Sequence, residues 1–268
     1  ATMGNYTIGD LLWAGNMGLF DALCHSFTTM ATGGYSTKQA SIGYWDSPYI
    51  HYVITFFMFL AGTNFTLSYF AMHGRFKKIW ANEEFKWYAA FIGGFTLIVA
   101  ISLFITSGKG VEVSFRDSLF QVVSILTTTG YTTADYLSWT PALVVIIFII
   151  MFFGGSAGST GGGPKIMRIV ILLKNSTQEL KRMIHPNAVI PVRLNKTAVG
   201  ESVVTNVLAF LAFWQFIAAG ILGGLFMLIT KKPSASTVAI IAFFALIVII
   251  QSVVHDSIPL IVAGYSFV

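Results

Sequence analysis

The sequence predicts an all-α integral membrane protein built from repeated units of helix, short re-entrant helix, irregular strand and helix. Of its 268 residues, 55% are hydrophobic and only 10% are charged, and the mean hydropathy is +0.75. A soluble domain carries about 25% charged residues. Long apolar segments alternate with polar connections, and a Thr/Gly-rich motif occurs twice. Together these features predict repeated membrane-embedded units.

The charges indicate the orientation of the chain and exclude one class of partner. The formal net charge is +5, with four of the sixteen Lys and Arg in residues 75–86 and seven in residues 165–196. Both clusters lie between apolar segments, as the positive-inside rule expects of cytoplasmic loops. No basic helix with interleaved aromatic residues occurs, which argues against nucleic-acid binding. The single Cys24 excludes a disulfide framework.

The first third of the chain contains one short segment and one long one. Residues 1–18 hold no long apolar run and no signal peptide, and because the chain does not begin with Met we expect a partial chain. Residues 19–30 are too short to cross a bilayer, which takes about 20 apolar residues. Residues 52–72, in contrast, read as a full membrane span.

The middle of the chain repeats this order. Residues 87–106 form a second span, opening with Trp87 and Tyr88 at the expected interface. A polar turn follows at 107–114, and a second short segment at 115–126 leads into the second Thr/Gly motif.

An apolar run at 141–153 then meets a glycine-rich stretch that precedes Pro164. Helix is costly at each Gly and most of all at Pro, so we expect a broken span. Close helix packing is the alternative, but six glycines in ten residues exceed that need. We therefore predict a gate loop composed of Gly154, Gly155, Ser156, Ala157, Gly158, Ser159, Thr160, Gly161, Gly162 and Gly163.

The last third is less informative. Residues 165–201 form a basic connection in which Pro186 and Pro191 prevent one continuous helix. Residues 203–229 predict a third clear span, and 238–250 form another apolar run. Gly264-Tyr265-Ser266 is only weakly similar to the Thr/Gly motif.

The two Thr/Gly motifs align at an offset of 96. Thr32-Gly33-Gly34-Tyr35 falls on Thr128-Thr129-Gly130-Tyr131, and Asp21 falls on Asp117. Such an internal repeat sets the architecture. The basic segments 75–86 and 165–196 share one side of the membrane only if residues 115–135 return to the side from which they entered. The motif is therefore predicted to be a re-entrant hairpin.

A strand of this composition suits ion contact. Backbone carbonyls can replace the hydration shell of an alkali cation, and the preceding short helix directs its negative end at the ion. Glycine permits backbone angles that other residues avoid. Asp135, just outside the second strand, would raise the local cation concentration. No second ligand accompanies His25 at metal-binding spacing, so no resident cofactor is expected.

The residues at 25–37, 124–135, 154–163 and 180–192 resemble the membrane subunit of the bacterial Trk potassium uptake system. Its superfamily also includes the Ktr and plant HKT transporters. The resemblance implies four linked units around one pore. It assigns the filter to Thr32, Gly33, Gly34, Tyr35, Thr128, Thr129, Gly130 and Tyr131, with potassium held by Thr32, Gly33, Thr128 and Thr129.

On this basis residues 1–73 form the pore helix, filter and inner helix of a unit without its outer helix. Residues 87–172 form a complete second unit with a broken inner helix, 173–202 a cytoplasmic connection, and 203–268 the start of a further unit. The resemblance also implies a multi-pass protein of the bacterial inner membrane. Expected partners are membrane lipid, a second copy in a homodimer and a cytosolic nucleotide-binding regulatory subunit.

Three questions stay open at this point. A secondary transporter with an organic substrate at the broken helix 154–163 is an alternative, although such proteins usually have inverted repeats. An intramembrane enzyme is disfavoured because no paired carboxylates or catalytic Ser/His or Cys/His set is visible in the spans. The sequence does not separate a channel from an ion-coupled symporter. With two filter motifs, the chain would not close a fourfold pore alone.

Overall fold

The computed structural model describes residues 2–185, 188, 190–195, 197–211 and 213. The chain divides into two compact units, residues 1–204 and 205–268. Of the second unit only 205–211 and 213 are described, and they are helical. The sequence predictions for the rest of the third span, for the run 238–250 and for Gly264-Tyr265-Ser266 lie outside the described residues.

In the described chain the regular elements are helices and one short β-hairpin. Its elements are α1 (Thr2–Ala14), α2 (Leu19–Met30), α3 (Pro48–Ala61), α4 (Phe65–Met72), α5 (Phe76–Ala81), α6 (Glu83–Ser107), α7 (Val111–Leu126), α8 (Pro141–Ile150), α9 (Ile166–Ile184), β1 (Arg193–Leu194), β2 (Thr197–Ala198) and α10 (Glu201–Leu211). The antiparallel β1 and β2 pair Arg193 with Ala198.

Helices α2 and α7 are the two short helices that the sequence predicts. Helix α2 has the predicted bounds, and α7 begins four residues before the predicted position 115. Each is followed by a non-helical segment, at 31–40 and 127–135. The helix–hairpin repeat is therefore present in the structure.

Helix α1 is not expected from the sequence, because its glycines and polar residues conceal a weak apolar face. Ile8 and Leu12, one turn apart, are fully buried. Helix α1 packs against α2 and α3, as α6 packs against α7 and α8. Helix α1 therefore occupies the position of an outer helix in the first repeat, where the sequence predicts none. Tertiary contacts outweigh the low helix propensity of this stretch.

The predicted continuous span at 52–72 is wrong, because it is broken. Helix α3 ends at Ala61, and α4 leaves at an angle of 115°. The Asn64 side chain accepts a hydrogen bond from the Thr66 N–H at 2.8 Å and caps α4. A Cβ at Gly62 would lie 2.5 Å from the Tyr88 hydroxyl oxygen, so glycine permits the close approach of α6 at the break.

Among the described residues, α6 is the one helix that alone is long and apolar enough to cross a membrane, and α3 with α4 qualifies as a bent pair. Helix α6 is more than half exposed at Leu97, Ile101 and Ile105, which is the surface expected of a lipid-facing helix. Helix α9 is amphipathic instead, with Ile166 and Val170 buried.

Candidate functional site

The first predicted filter segment turns back on the end of α2 and is held there by Thr28. The Thr28 carbonyl oxygen accepts a hydrogen bond from the Gly33 N–H at 2.8 Å. The Thr28 hydroxyl donates to the Tyr35 carbonyl oxygen at 3.1 Å. Thr32 and Gly34 have φ angles of +49° and +68°. One hydroxyl residue of the helix therefore fixes both ends of the turn.

The second predicted segment has the same construction, with Ser124 in the place of Thr28. The Ser124 carbonyl oxygen accepts from the Thr129 N–H at 2.9 Å, and its hydroxyl donates to the Tyr131 carbonyl oxygen at 2.7 Å. Thr128 and Gly130 have φ angles of +60° and +90°. The offset of 96 seen in the sequence thus holds for hydrogen bonds and backbone conformation.

The φ angles explain the composition of the motif. Gly adopts a positive φ without cost, whereas a β-branched residue there is strained. Thr32 and Thr128 nonetheless adopt it, each two residues before a glycine that also does. Strain of this kind persists only where the surrounding structure imposes it, and it is concentrated at functional sites.

The two predicted filter segments lie against each other. A Cβ on Gly34 would collide with the Thr129 carbonyl oxygen. Farther along, the Gly43 N–H donates to the Thr132 carbonyl oxygen at 3.0 Å, and the Thr132 N–H donates to the Ser41 hydroxyl at 3.3 Å. The structure therefore brings both copies of the motif to one place, although 96 residues separate them in the chain.

The two tyrosines of the motif are not equivalent in the described part of the chain. Tyr131 is fully buried, and its hydroxyl is hydrogen-bonded to Thr28 and lies 3.5 Å from the Thr29 hydroxyl. Tyr35 is 78% exposed. The Tyr131 side chain thus holds the second segment to α2, the short helix that precedes the first segment.

A polar cluster supports the first hairpin from its other side. His25 Nδ1 lies 2.6 Å from the Asp21 carbonyl oxygen, which can only accept, so Nδ1 carries the proton. In the neutral ring, Nε2 then accepts from the Ser36 hydroxyl at 2.9 Å. The Thr37 hydroxyl donates to the Asp21 carboxylate at 2.7 Å. That hydrogen bond, with the charge of Lys38, lowers the pKa of Asp21.

Asp135, the predicted outer-mouth residue, is exposed and shapes the local turn. Its carboxylate accepts a hydrogen bond from the Leu137 N–H at 3.1 Å. It lines a cleft of about 490 Å³ together with Asp46, Asp117 and Lys109. Lys109 pairs with Asp117 at 3.3 Å, so Asp135 stands beside a site of mixed charge.

The predicted gate loop, residues 154–163, contacts the second filter segment directly. The Gly162 N–H donates a hydrogen bond to Thr128 Oγ1 at 2.6 Å. A Cβ on Gly161 would lie 2.8 Å from the Thr127 carbonyl oxygen. The loop therefore lies against the turn that ends α7.

The break between α3 and α4 holds the gate loop from another side. The Ser156 N–H donates to the Gly62 carbonyl oxygen at 2.9 Å, and the Thr160 hydroxyl donates to the Ala61 carbonyl oxygen at 3.1 Å. The Asn64 side-chain amide donates to the Ala157 carbonyl oxygen at 2.6 Å. The carbonyls left without helical partners at the end of α3 thus accept hydrogen bonds from the loop.

Two charged residues outside the predicted gate loop, Glu84 and Lys165, also hold it. Glu84, at the start of α6, is 2% exposed and accepts a hydrogen bond from the Ala157 N–H at 2.6 Å. The Lys165 amine donates to the Gly161 carbonyl oxygen. In the sequence Glu84 lies three residues before the predicted span at 87–106, within the charged segment 75–86, and nothing there indicates that its carboxylate is buried. A buried carboxylate requires partners, and the Ala157 N–H is one.

The loop glycines serve backbone contact rather than the packing of one helix on another. A Cβ on Gly154 would lie 2.5 Å from the Gly162 carbonyl oxygen, and one on Gly155 would lie 2.9 Å from that of Gly62. Gly158 and Gly163 have φ angles of +72° and +66°. A larger residue at any of these positions would displace the loop or strain it.

Comparison with known proteins agrees with this architecture. Residues 10–248 match the TrkH family model, described as "Cation transport protein". The Trk system potassium uptake protein TrkH of Escherichia coli K12 is 41% identical over 211 residues, which are 77% of this chain and 43% of that protein. The Halomonas elongata TrkH is 38% identical over 217 residues, which are 81% of this chain and 44% of that protein.

A solved structure is similar as well. The crystal structure of the potassium transporter TrkH from Vibrio parahaemolyticus superposes with a TM-score of 0.77 at 34% identity, covering 85% of this chain and 49% of that chain. The chain spans about half the length of the relatives it matches. The match nevertheless extends over both hairpins and the glycine-rich loop, so this membrane protein belongs to the TrkH family of cation transport proteins.

Proposed function

We propose that this chain supplies two of the filter elements and a gate of a potassium uptake protein. The observation that carries the proposal is the pair of hairpins with left-handed backbone at 32 and 34 and at 128 and 130. The backbone carbonyls of Thr32, Gly33, Thr128 and Thr129 would replace the hydration shell of potassium, which is the transported ion and not a cofactor. Gly34 and Gly130 give the two segments their shape, and the Tyr131 hydroxyl holds the second segment against α2.

The glycine-rich loop at 154–163 acts in this proposal as the gate. It lies against Thr127 and Thr128, at the end of the filter segment nearest α7. Its anchors are hydrogen bonds to the α3–α4 break, to Glu84, to Lys165 and to Thr128. These anchors are polar contacts, so the loop can move aside by exchanging hydrogen bonds without disrupting the apolar core.

The complete protein would take up potassium across a bacterial inner membrane as a transporter rather than an enzyme. The named relatives are potassium uptake proteins of a Trk system, which supports further subunits. We include a homodimer, membrane lipid and a cytosolic nucleotide-binding subunit among the partners. Both hairpins have equivalent hydrogen bonds and they lie against each other, as two quarters of one filter would. This arrangement favours an ion pathway over a secondary transporter with an organic substrate at the broken helix.

The substitution Gly130→Ser in the full-length protein tests the filter. No atom lies within 4 Å of a Cβ added at position 130, so a serine side chain has room there. The φ of +90° is unfavourable for serine, so the substitution distorts the backbone. We expect the preference for potassium over sodium to fall by roughly tenfold in a vesicle flux assay. Gly94→Ser is the control, because Gly94 lies in α6 with nothing within 4 Å. Unchanged selectivity in Gly130→Ser would contradict the filter assignment.

A further inference from the structure

A cleft of about 1200 Å³ opens between α4, α5, the start of α6, α9 and β1. Four basic residues line it: Lys78, Lys86, Lys174 and Arg193. Glu83 is the one acidic residue among its described lining, and it pairs with Lys174. Lys78, Lys86 and Arg193 therefore supply excess positive charge to a single concave surface.

Three apolar side chains, those of Leu67, Phe70 and Trp87, also line the cleft and form its apolar wall. Lys78 adjoins this wall, with its amine 4.8 Å from the centroid of the Phe70 ring. Next to the cleft on α5, Phe76 is 59% and Trp80 62% exposed. A basic rim beside an apolar wall with exposed aromatic residues is the surface expected where a protein meets lipid headgroups and the first carbons of their chains.

A second cleft of about 510 Å³ continues the first. The two share Trp87, Lys174 and Arg193, and the second adds Lys181. No acidic residue is among its described lining. The basic surface thus extends across Lys174 in both directions, over an area larger than one small anion needs.

The fold assembles this surface from both basic segments of the sequence. Lys78 and Lys86 come from residues 75–86, and Lys174, Lys181 and Arg193 from residues 165–196. The positive-inside rule asks only that both segments lie on the cytoplasmic side. It does not ask that their side chains converge on one cleft, so the convergence requires a further explanation.

We propose that this cleft binds an anionic phospholipid, with the phosphate between Lys78, Lys86 and Arg193 and the acyl chains along the apolar wall. Basic pockets between helices on the cytoplasmic side of membrane proteins bind such headgroups. A free phosphate would leave the apolar wall unused. Asn64 lines the same cleft and holds Ala157 of the glycine-rich loop, so the lipid lies beside an anchor of that loop.

The test is native mass spectrometry of the delipidated full-length protein, titrated with phosphatidylglycerol, phosphatidylcholine or inorganic phosphate. The double variant Lys78→Gln/Lys86→Gln should bind phosphatidylglycerol at least about tenfold more weakly, since each basic residue near an anionic lipid contributes about fivefold. The matched control Arg75→Gln/Lys77→Gln removes two charges from the same segment outside the cleft. It should change the affinity by less than about twofold.

Three outcomes would overturn the proposal: equal affinity for phosphatidylcholine, equal weakening in the control, or inorganic phosphate displacing the lipid at millimolar concentration. Lys78→Arg/Lys86→Arg keeps both charges and should retain binding. If the glutamine variant were misfolded, this arginine variant would decide the question through its preference for phosphatidylglycerol over phosphatidylcholine. The lipid-free unfolding temperature of each variant shows which case applies.

Discussion

The Gly162 N–H donates a hydrogen bond to the Thr128 hydroxyl, with 2.6 Å between the two heavy atoms. Thr128 belongs to the predicted filter and Gly162 to the predicted gate. A single side-chain oxygen thus joins the two parts of the site, and its removal should alter the structure of both.

Thr128→Val should raise basal potassium flux in the full-length protein. Valine keeps the β-branched shape at a φ of +60° but leaves the Gly162 N–H without its acceptor. The loss of one hydrogen bond, about 1 kcal/mol, corresponds to up to about fivefold in the ratio of open to closed loop. Rubidium uptake into vesicles measures the change. Thr128→Ser keeps the hydroxyl and should retain wild-type basal flux, so a rise in both variants would contradict the role of this bond.

Tyr131→Phe should destabilise the folded protein by about 1–2 kcal/mol, because it removes a hydrogen-bond partner from the Thr28 and Thr29 hydroxyls of α2. Its ring is fully buried against α2, so the packing itself is retained. The measurement is thermal unfolding in detergent. Tyr44→Phe is the control, since Tyr44 is 60% exposed. Equal loss of stability in both variants would show that the Tyr131 hydroxyl does not hold the second predicted filter segment to α2.

Glu84→Leu should release one end of the glycine-rich loop. The substitution leaves the partly buried Ala157 N–H without its acceptor, at a cost of about 1–3 kcal/mol. We expect raised basal flux and a lower unfolding temperature. Glu84→Gln retains one acceptor oxygen and should produce a smaller change in each measurement. An identical response to leucine and glutamine would indicate that the charge, not the hydrogen bond, is what matters.

Gly34→Ala should be far more harmful than Gly33→Ala. The new methyl at 34 would collide with the backbone of the neighbouring segment at Thr129, and alanine is also strained at a φ of +68°. At Gly33 the nearest atom to a Cβ is 3.5 Å away, on the Tyr35 ring. We expect a loss of at least about 2 kcal/mol for Gly34→Ala. Equal unfolding temperatures for the two variants would refute the contact between the segments.

Much of the local structure follows from the sequence. The length of the segment 19–30 and the Thr and Gly that follow it predict a short helix and a non-helical turn, and α2 has those bounds. The break after α8 follows from the glycines and Pro164. These features depend on the conformational preferences of a few neighbouring residues, which act wherever the chain folds.

Other features depend on distant partners. The segment 52–72 is apolar enough to be one span, yet it bends by 115° because loop N–H groups bond the last carbonyls of α3. Helix α1 lacks a clear apolar run and forms because Ile8 and Leu12 are buried in the hydrophobic core. Glu84 reads as part of a charged connection until its N–H partner at Ala157 is seen.

The sequence by itself determined the class of the protein, the internal repeat and the places where helix must stop, because composition and backbone preference are local properties. Only the tertiary structure decided which backbone groups meet. It placed Gly34 against Thr129, Gly162 on Thr128, and two basic segments on one cleft. Hydrogen bonds and steric contacts between residues more than 30 positions apart arise from packing, and no local pattern in the chain encodes them.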